Sequence, residues 1–356
     1  MSIDPESLAR KNIRRLKPYS SARGEFSGTA DVYLDANENA FGSPIEQQLN
    51  RYPDPLQMKL KEKIAESKGV TVEQIFIGNG SDEAIDLLFR IFCEPGTDAC
   101  VICPPTYGMY KVAADINDVV VTEVPLNSDF QLDVPEIRKA EGRSMKLIFV
   151  CSPNNPTGNS INRVDILRLA KTFDGIVVVD EAYIHFSRES SLIDEIDDHP
   201  NFVVLQTFSK AWGLAAARVG MAFADERIIK LFNRVKPPYN ISALAQNAAL
   251  DALGNDVQVD EWVRMISEER VVLTDSLKRL DVVERVYPSD ANFVLVKVAD
   301  ASAAYKFLLE QRIVVRDRSN VTMCEGCLRI TVGTSEENAR VVEALKKFEQ
   351  NTFAAS

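Results

Sequence analysis

The stretch at residues 207–218, TFSKAWGLAAAR, decides how the rest of this chain is interpreted. The apolar run at 202–205 before it predicts a buried β-strand, and a turn of small residues follows Lys210. Loss of hydration lowers the pKa of an amine, so Lys210 is a candidate nucleophile that attacks a carbonyl and forms a Schiff base. An ordinary surface lysine between a strand and a helix fits the same pattern equally well.

Polar groups on both sides of this lysine suit a phosphate. The hydroxyls of Thr207 and Ser209 precede Lys210, and Arg218 follows it in the same stretch. A guanidinium and hydroxyl donors together favour a bound phosphate group. We therefore expect an anion to bind at this turn.

The second informative stretch is GIVVVDEAY at residues 175–183, an apolar strand that ends in a carboxylate. Pyridoxal phosphate needs an acid beside its ring nitrogen, because the positively charged ring is the electron sink. Asp180 suits that position, and Tyr183 suits the ring hydroxyl. An acidic helix cap after a strand would explain Asp180 alone, but not the lysine and arginine that follow one strand later.

The order and spacing of three motifs resemble those of fold-type I pyridoxal-phosphate aminotransferases of the class II subfamily. These motifs are DEAY at 180–183, SPNNPTG at 152–158 and SKxxGLxxxR at 209–218. Four further motifs narrow the resemblance to the histidinol-phosphate aminotransferase family: LDANEN at 34–39, RYP at 51–53, PPTYGMY at 104–110 and LRITVG at 328–333. Matching motifs extend from Tyr19 to Gly333, so the resemblance covers nearly the whole chain.

The resemblance implies an α/β fold in which helices cover a large, mostly parallel sheet and a smaller C-terminal α+β domain follows. The expected divisions are an N-terminal arm at 1–30, a large cofactor-binding domain at 31–245 and a small domain at 246–356. Runs at 99–103, 119–121 and 146–151 agree with this fold, since strands that are apolar on both faces belong in covered parallel sheets. Ligands bind such sheets at the carboxyl ends of the strands, where the motifs lie.

Hydrophobic periodicity predicts the remaining elements. The expected strands are 32–35, 219–224, 292–296, 313–315 and 328–332, and the expected helices are 260–280, 303–311 and 336–348.

By resemblance, the cofactor is pyridoxal 5'-phosphate and the catalytic residues are Lys210, Asp180 and Tyr183. The residues assigned to cofactor binding are Lys210, Asp180, Tyr183, Asn155, Tyr107, Gly80, Ser81, Asp82, Thr207, Ser209, Arg218 and Tyr52. The substrate residues are Tyr19, Asn37, Arg316 and Arg329, of which the two arginines would clamp the substrate anion through their planar guanidinium groups. The chain is expected to form a homodimer in which Tyr52 reaches the cofactor phosphate of the neighbouring subunit.

Some of these assignments have an alternative. Tyr107 is expected to stack on the cofactor ring, but simple core packing would also explain it. Tyr19 would also serve to hold the N-terminal arm down. Arg329 lies between apolar neighbours, so an exposed face of a sheet would account for it as well.

The segment IFIGNGSDEAI at 75–85 combines a strand, a glycine turn and the start of a helix. Glycine permits close backbone approach, and free amides at a helix start favour an anion. We therefore assign the backbone amides near Gly80, Ser81 and Asp82 to the cofactor phosphate. A dinucleotide-binding fold would need a third glycine and an acidic partner, which are missing here.

Composition excludes several other classes. A net charge of -11 over 356 residues argues against binding to nucleic acid or to an anionic membrane, and no apolar run is long enough to span a bilayer. The acidic residues 1–6 are unlike a signal peptide, so a cytoplasmic location is expected. Six cysteines and two histidines indicate neither a disulfide scaffold nor a metal site. CEGC at 324–327 is interpreted as reduced thiols in a turn.

The resemblance implies exchange of an amino group between histidinol phosphate and 2-oxoglutarate in histidine biosynthesis, giving imidazole acetol phosphate and glutamate. Another enzyme with this cofactor would share the cofactor motifs, such as an aromatic aminotransferase or a decarboxylase of a phosphorylated amino acid. A cofactor-binding regulator would normally carry a basic DNA-binding domain, for which this acidic chain leaves no room. A nucleotide-binding α/β protein, in which Lys210 is incidental, is the last alternative.

Overall fold

A seven-stranded sheet forms the centre of the larger part of the molecule. The structure, a computed structural model, describes residues 4–19, 30–142 and 144–354. The strands are β1 (Ile75–Asn79), β2 (Ala99–Ile102), β3 (Val120–Glu123), β4 (Met145–Cys151), β5 (Ile176–Asp180), β6 (Phe202–Thr207) and β7 (Val219–Ala224). Their order across the sheet is β1-β7-β6-β5-β4-β2-β3. β7 runs antiparallel to both of its neighbours, and the other pairs are parallel.

Both faces of this sheet are buried, except at its edge strand β3. Successive side chains of a strand point to opposite faces, and in β5 Val177 and Val179 pack into one core while Ile176 and Val178 pack into another. Helices cover both faces, which confirms the predicted mostly parallel sheet of an α/β fold. They are α3 (Met58–Lys68), α4 (Ser81–Phe92), α5 (Met109–Ile116), α6 (Val134–Ala140), α7 (Arg163–Thr172), α8 (Glu226–Val235) and α9 (Ala243–Leu253).

A second, antiparallel sheet of four strands follows in the chain. It contains β8 (Val283–Val286), β9 (Phe293–Val298), β10 (Arg316–Asp317) and β11 (Cys327–Thr331), in the order β10-β11-β9-β8. Val294, Val296, Leu328 and Ile330 point from one face of this sheet into a core of their own. The helices that cover this core are α10 (Asp256–Leu277), α11 (Ala301–Glu310) and α12 (Ser335–Ala354).

Two short helices at the amino end, α1 (Pro5–Leu8) and α2 (Lys11–Arg15), lie against the larger sheet's helices. The Arg234 guanidinium of α8 donates to the carbonyl oxygens of Ile13 and Arg14 at 3.2 and 3.0 Å, and Arg10 forms an ion pair with Glu94. The domain divisions at residues 30 and 245 stay a prediction. None of the described helices is long and apolar enough to cross a membrane.

Two predictions of local structure were wrong, and one strand was not predicted. Residues 32–35 form no strand, because Val32 and Leu34 are exposed and alternation alone makes no ladder without a paired strand. The strand expected at 313–315 is displaced to β10, since Arg312 adopts a left-handed φ of 58° just before it. β8 went unpredicted because its two central side chains, Glu284 and Arg285, are charged and exposed.

The reversed direction of β7 controls the geometry of the site. Thr207, the last residue of β6, pairs with Gly220, and Asn79, the last residue of β1, pairs with Val219. The start of β7 therefore lies at the same edge as the carboxyl ends of its two neighbours. This arrangement brings Arg218, directly before β7, to the sheet edge where ligands of parallel sheets bind.

Replacing Gly220 with alanine is expected to destabilise the protein. The new Cβ would lie 2.1 Å from the amide nitrogen of Ser81 and 2.3 Å from the carbonyl carbon of Gly80. Both are backbone atoms that cannot rotate away, and overpacking of this kind costs about 3 kcal/mol. Urea unfolding of the cofactor-free protein measures the change.

The matched control is Gly142→Ala, whose Cβ would meet nothing within 4 Å. This control should change the free energy of unfolding by less than about 0.5 kcal/mol. A Gly220→Ala variant as stable as the unaltered protein would contradict the close packing of β7 against the start of α4.

Candidate active site

A cavity of about 140 Å³ opens at the edge of the large sheet where β1, β4, β5 and β6 end and β7 begins. Apart from Gly80 and Tyr52, every residue that the sequence assigned to the cofactor lines this cavity. The lining residues are Ser81, Asp82, Tyr107, Cys151, Asn155, Asp180, Ala182, Tyr183, Thr207, Ser209, Lys210, Ala215 and Arg218. Sequence reasoning had not assigned Cys151, Ala182 or Ala215.

Lys210 lies in a tight turn after β6. The Thr207 hydroxyl donates to Ser209 Oγ at 3.0 Å and accepts from the Ser209 amide at 3.0 Å, which shapes the chain just before the lysine. Thr207 therefore acts on Lys210 through the turn.

The Lys210 side chain is exposed at the mouth of the cavity, and its amine lies near two guanidinium groups. Its Nζ lies 5.6 Å from the centre of the Tyr183 ring. Loss of hydration lowers the pKa of Lys210; Arg329 and Arg218 lower it further, while Asp180 raises it. The shift increases the fraction of neutral amine, the form that attacks a carbonyl.

Asp180 ends β5 beneath the cavity and is almost fully buried. Tyr110 donates a hydrogen bond from its phenol to Asp180 Oδ2 at 2.8 Å, and the Ala182 amide donates to Oδ1 at 3.0 Å. Burial raises the pKa of Asp180 to about 6, although these two hydrogen bonds favour the charged form. At neutral pH the carboxyl group is therefore mostly ionised and attracts a cation.

Tyr110 is a site residue that sequence reasoning missed. Its side chain is completely buried, and its ring stacks on Phe149 at 4.8 Å and meets Tyr107 edge-on at 5.6 Å. Burial and Asp180 hold the pKa of Tyr110 well above its ordinary value, so it remains a donor. Its spacing of three residues from Tyr107, at the start of α5, is the signal that could have identified it.

One end of the cavity, where β1 passes into α4, has the geometry expected for binding an anion. No described side chain caps α4, so the amides of Ser81 and Asp82 are open to an anion. The Gly80 amide is not open, because it donates to the Arg218 carbonyl oxygen at 2.8 Å. Gly80 contributes by having no side chain, since a Cβ there would lie 2.6 Å from the Arg218 guanidinium.

Arg218 points across this end of the cavity. Its guanidinium donates to Ser209 Oγ at 3.3 Å and lies 3.5 Å from Asp82 Oδ2. The second oxygen of Asp82 accepts a hydrogen bond from Tyr107 at 3.2 Å, which places the Tyr107 ring at the cavity wall. The Asp82 carboxylate thus fixes two of the predicted cofactor residues.

Asn155 and Tyr183 come together at the opposite end. The Asn155 side-chain amide donates to the Tyr183 hydroxyl at 3.4 Å, and the Tyr183 ring packs edge-on against Phe293 at 5.1 Å. Arg329 donates to Asn155 Oδ1 and covers the Phe293 ring. Arg316 lies directly opposite Arg329 in the small sheet. Arg329 therefore contacts a residue of the cavity lining at this end, and the exposed Arg316 lies beside Arg329; neither arginine is part of the lining itself.

Tyr19, Asn37 and Tyr52 do not line the Lys210 cavity. These three residues border a separate surface depression together with Tyr239, and the Tyr52 ring stacks on Tyr239 at 4.5 Å. Tyr19 and Tyr52 are both largely exposed. Within one chain, the three predicted residues thus lie together but apart from the catalytic lysine.

Comparison with known proteins agrees with this geometry. The family model for aminotransferase class I and II matches residues 25–345. The histidinol-phosphate aminotransferase of Cytophaga hutchinsonii is 51% identical over 348 residues, which cover 98% of this chain and 100% of that protein. The chain belongs to the histidinol-phosphate aminotransferases of class I and II.

Solved structures show the same fold. The histidinol-phosphate aminotransferase from Clostridium acetobutylicum matches with a TM-score of 0.79 and 25% identity, over 85% of this aminotransferase and 92% of that chain. The L-threonine-O-3-phosphate decarboxylase from Porphyromonas gingivalis matches with a TM-score of 0.73 and 28% identity, over 85% of this chain and 91% of that chain. The fold alone therefore does not separate the two activities, and the 51% identity to the Cytophaga protein does.

The family requires pyridoxal phosphate, and the residues of this aminotransferase fit it. The cavity supplies an amine at Lys210, an acid for the ring nitrogen at Asp180 and an end suited to an anion at α4. Asn155 and Tyr183 supply donors for a ring oxygen. These groups stand at separate sides of one cavity, as a ring with three different polar substituents requires.

Replacing Tyr110 with phenylalanine is expected to raise the pKa of Asp180 by about one pH unit, because a hydrogen bond to a carboxylate favours its charged form. Carbon-13 NMR of the Asp180 carboxyl in the cofactor-free protein follows the titration, whose midpoint should move upward from about 6. Tyr305→Phe, in α11 of the small sheet, is the control and should leave the midpoint unchanged. An unmoved midpoint in Tyr110→Phe would show that this hydrogen bond has no effect on the carboxylate.

Proposed function

We propose that this aminotransferase exchanges an amino group between histidinol phosphate and 2-oxoglutarate, giving imidazole acetol phosphate and glutamate. The observation that carries the proposal is the 51% identity to the Cytophaga enzyme over 98% of the chain. Arg329 and the adjacent Arg316 support it, because histidinol phosphate has no carboxylate and must be held by its phosphate. Arginine binds both phosphate and carboxylate in a planar, two-pronged manner, so one cluster serves both half-reactions.

Lys210 is the residue to which we assign both the bond to the cofactor and the proton transfer. When bound, pyridoxal phosphate supplies an aldehyde and an electron-accepting ring. The pKa of Lys210 is lowered, first by partial loss of hydration and then by Arg329, which favours the neutral amine that would remove the proton from the substrate Cα. Lys210 then holds that proton until it is returned to carbon.

Asp180 is assigned to the proton on the ring nitrogen. Its buried carboxylate receives hydrogen bonds from Tyr110 and Ala182, so it is held in place to accept another from a protonated ring. A positive ring beside Asp180 would also favour the charged carboxylate. Asn155 and Tyr183 would donate hydrogen bonds to a ring oxygen, and Tyr107 would contact the ring.

We further propose a homodimer in which Tyr52 completes the neighbouring subunit's site. Tyr52 lies beside Asn37 and Tyr19, outside the lining of the Lys210 cavity in its own chain. In a dimer with two-fold symmetry, the Tyr52 of each subunit would reach the site of the other subunit.

The surface around Tyr52 supports this assembly. Val32, Leu34, Phe41 and Ile45 are apolar and strongly exposed, in a segment without helix or strand. A concentration of apolar surface of this kind marks a protein contact. A second copy of the chain, which presents the same surface, is the partner that two-fold pairing supplies.

The six cysteines support a reducing compartment, and we propose the cytoplasm. All six are free thiols and buried in the described chain. Burial raises the pKa of Cys324 to about 12 and that of Cys327 to about 11, so the CEGC pair carries little thiolate at neutral pH. This supports the interpretation of reduced thiols, with Cys324 just before the turn and Cys327 as the first residue of β11.

The substrate is tested by a glutamate-coupled assay across amino donors. Histidinol phosphate with 2-oxoglutarate should give a kcat/KM at least about tenfold above that of phenylalanine, since each tenfold reflects about 1.4 kcal/mol of selective binding. Phosphothreonine should yield no carbon dioxide above background. The control is Lys210→Ala, which should be inactive with every donor. Turnover of phenylalanine alone, or release of carbon dioxide, would assign the chain to another enzyme class.

The crossing of Tyr52 is tested with mixed dimers, purified through two different tags. Lys210→Ala chains paired with Tyr52→Ala chains should recover up to about half of the normal activity, because one of the two sites then combines both intact residues. Each variant alone should be nearly inactive. The control pairs the double variant, Lys210→Ala with Tyr52→Ala, with the unaltered chain and should stay nearly inactive. If Tyr52 serves its own subunit, the two pairings exchange outcomes.

A further inference from the structure

We propose that Arg318 is a third guanidinium of the substrate anion site, and that it serves a doubly charged phosphate more than a carboxylate. The inference rests on the proposed function, because it assigns a role within the same substrate site. Neither the motifs nor the family resemblance had pointed to Arg318. Its position follows from the register of the small sheet.

Three arginines project from one face of the small sheet. Arg316 of β10 pairs directly with Arg329 of β11, and residues opposite each other in a ladder share a face. Arg318 lies two residues beyond Arg316, and its amide donates to the Cys327 carbonyl oxygen at 2.8 Å, which continues the ladder. Because side chains alternate with a period of two, Arg318 points to the same face as Arg316.

This face is directed at the cavity. Leu295 and Phe293 of β9 pair with Arg329 and Thr331 of β11, and Phe293 contacts both the Tyr183 ring and the Arg329 guanidinium. The opposite face carries the core beneath α10, α11 and α12. The arginines therefore stand between the small sheet and the end of the cavity that holds the Tyr183 hydroxyl.

The arginines lack an anionic partner in the described chain. The Nε atoms of Arg318 and Arg329 are buried there without a hydrogen-bond acceptor, and so is the hydroxyl of the adjacent Ser319. The nearest acid in sequence is used elsewhere, since Asp317 Oδ1 accepts from the Ser319 amide at 2.8 Å. A buried donor without an acceptor is costly, so these groups await an acceptor from outside the chain.

The mutual effects of the arginines on their pKa values also indicate an anion site. The pKa of Arg329 is lowered first by burial and then by the nearby charge of Arg318. The pKa of Arg318 is lowered in turn by burial and then by the charge of Arg316. Arg318 also acts on the phenol of Tyr183, whose pKa is raised chiefly by burial. Guanidinium groups that repel one another next to a cavity create a strong site for an anion.

The number of arginines favours phosphate. A carboxylate has two oxygens and one charge, which the paired Arg316 and Arg329 can satisfy. A phosphate monoester carries nearly two charges near neutral pH and three terminal oxygens. Arg318 supplies the additional charge and donors that only the phosphate needs.

The test is steady-state kinetics of the complete enzyme with Arg318→Gln. The KM for histidinol phosphate should rise about tenfold or more, whereas the KM for glutamate and both kcat values should stay within about threefold. Arg318→Lys keeps the charge but loses the planar guanidinium group, so its KM for histidinol phosphate should lie between those of the unaltered enzyme and Arg318→Gln. Arg279→Gln, which replaces an exposed arginine two residues after α10, is the control and should match the unaltered enzyme.

Inorganic phosphate provides a second measurement that needs no phosphorylated substrate. It should inhibit the unaltered enzyme competitively against glutamate, and Arg318→Gln should weaken this inhibition about tenfold. Equal increases in both KM values, or unchanged values, would overturn the role assigned to Arg318. An unaltered enzyme that ignores histidinol phosphate would refute the proposed function instead, and the phosphate inhibition would still decide the role of Arg318.

Discussion

The site depends on one buried charge, the carboxylate of Asp180 at the end of β5. A carboxyl group in this position loses its hydration, and its pKa rises from 3.8 to about 6. Because the raised pKa belongs to the folded state, its favourable contribution to stability is present below about pH 4 and is lost between about pH 4 and 6. At neutral pH the cofactor-free protein therefore carries an unfavourable charge, which a protonated ring beside it would offset.

Charges of opposite sign are distributed around this acid in a consistent way. Arg218 and the open amides of α4 lie at one end of the cavity, and the arginines of the small sheet lie at the other. Lys210 stands between two cationic regions, and these reinforce the effect of lost hydration on its pKa. The same arrangement suits an anionic group at either end and lowers the pKa of the amine between them.

Much of this site could be predicted from the sequence, because DEAY, SPNNPTG and the Lys210 segment each follow a strand. The carboxyl ends of neighbouring strands meet at one edge, so the order of motifs was enough to bring Asp180, Asn155 and Lys210 together. Arg218 reaches that edge only because β7 is antiparallel, a direction that apolar content does not encode. Tyr110 and Arg318 were missed for a related reason. Their roles depend on where α5 begins and on which residues form β10, and the predicted strand at 313–315 was displaced.

The burial of all six thiols has a practical consequence for experiments on this enzyme. Burial raises the pKa of Cys100 and Cys103 to about 12, and none of the six is exposed to solvent. Alkylating reagents react with thiolates, so the native cysteines are poor targets while the protein stays folded. A single cysteine introduced on the exposed loop around Phe41 would accept a fluorophore selectively, and it would test the proposed subunit association without prior removal of any natural cysteine.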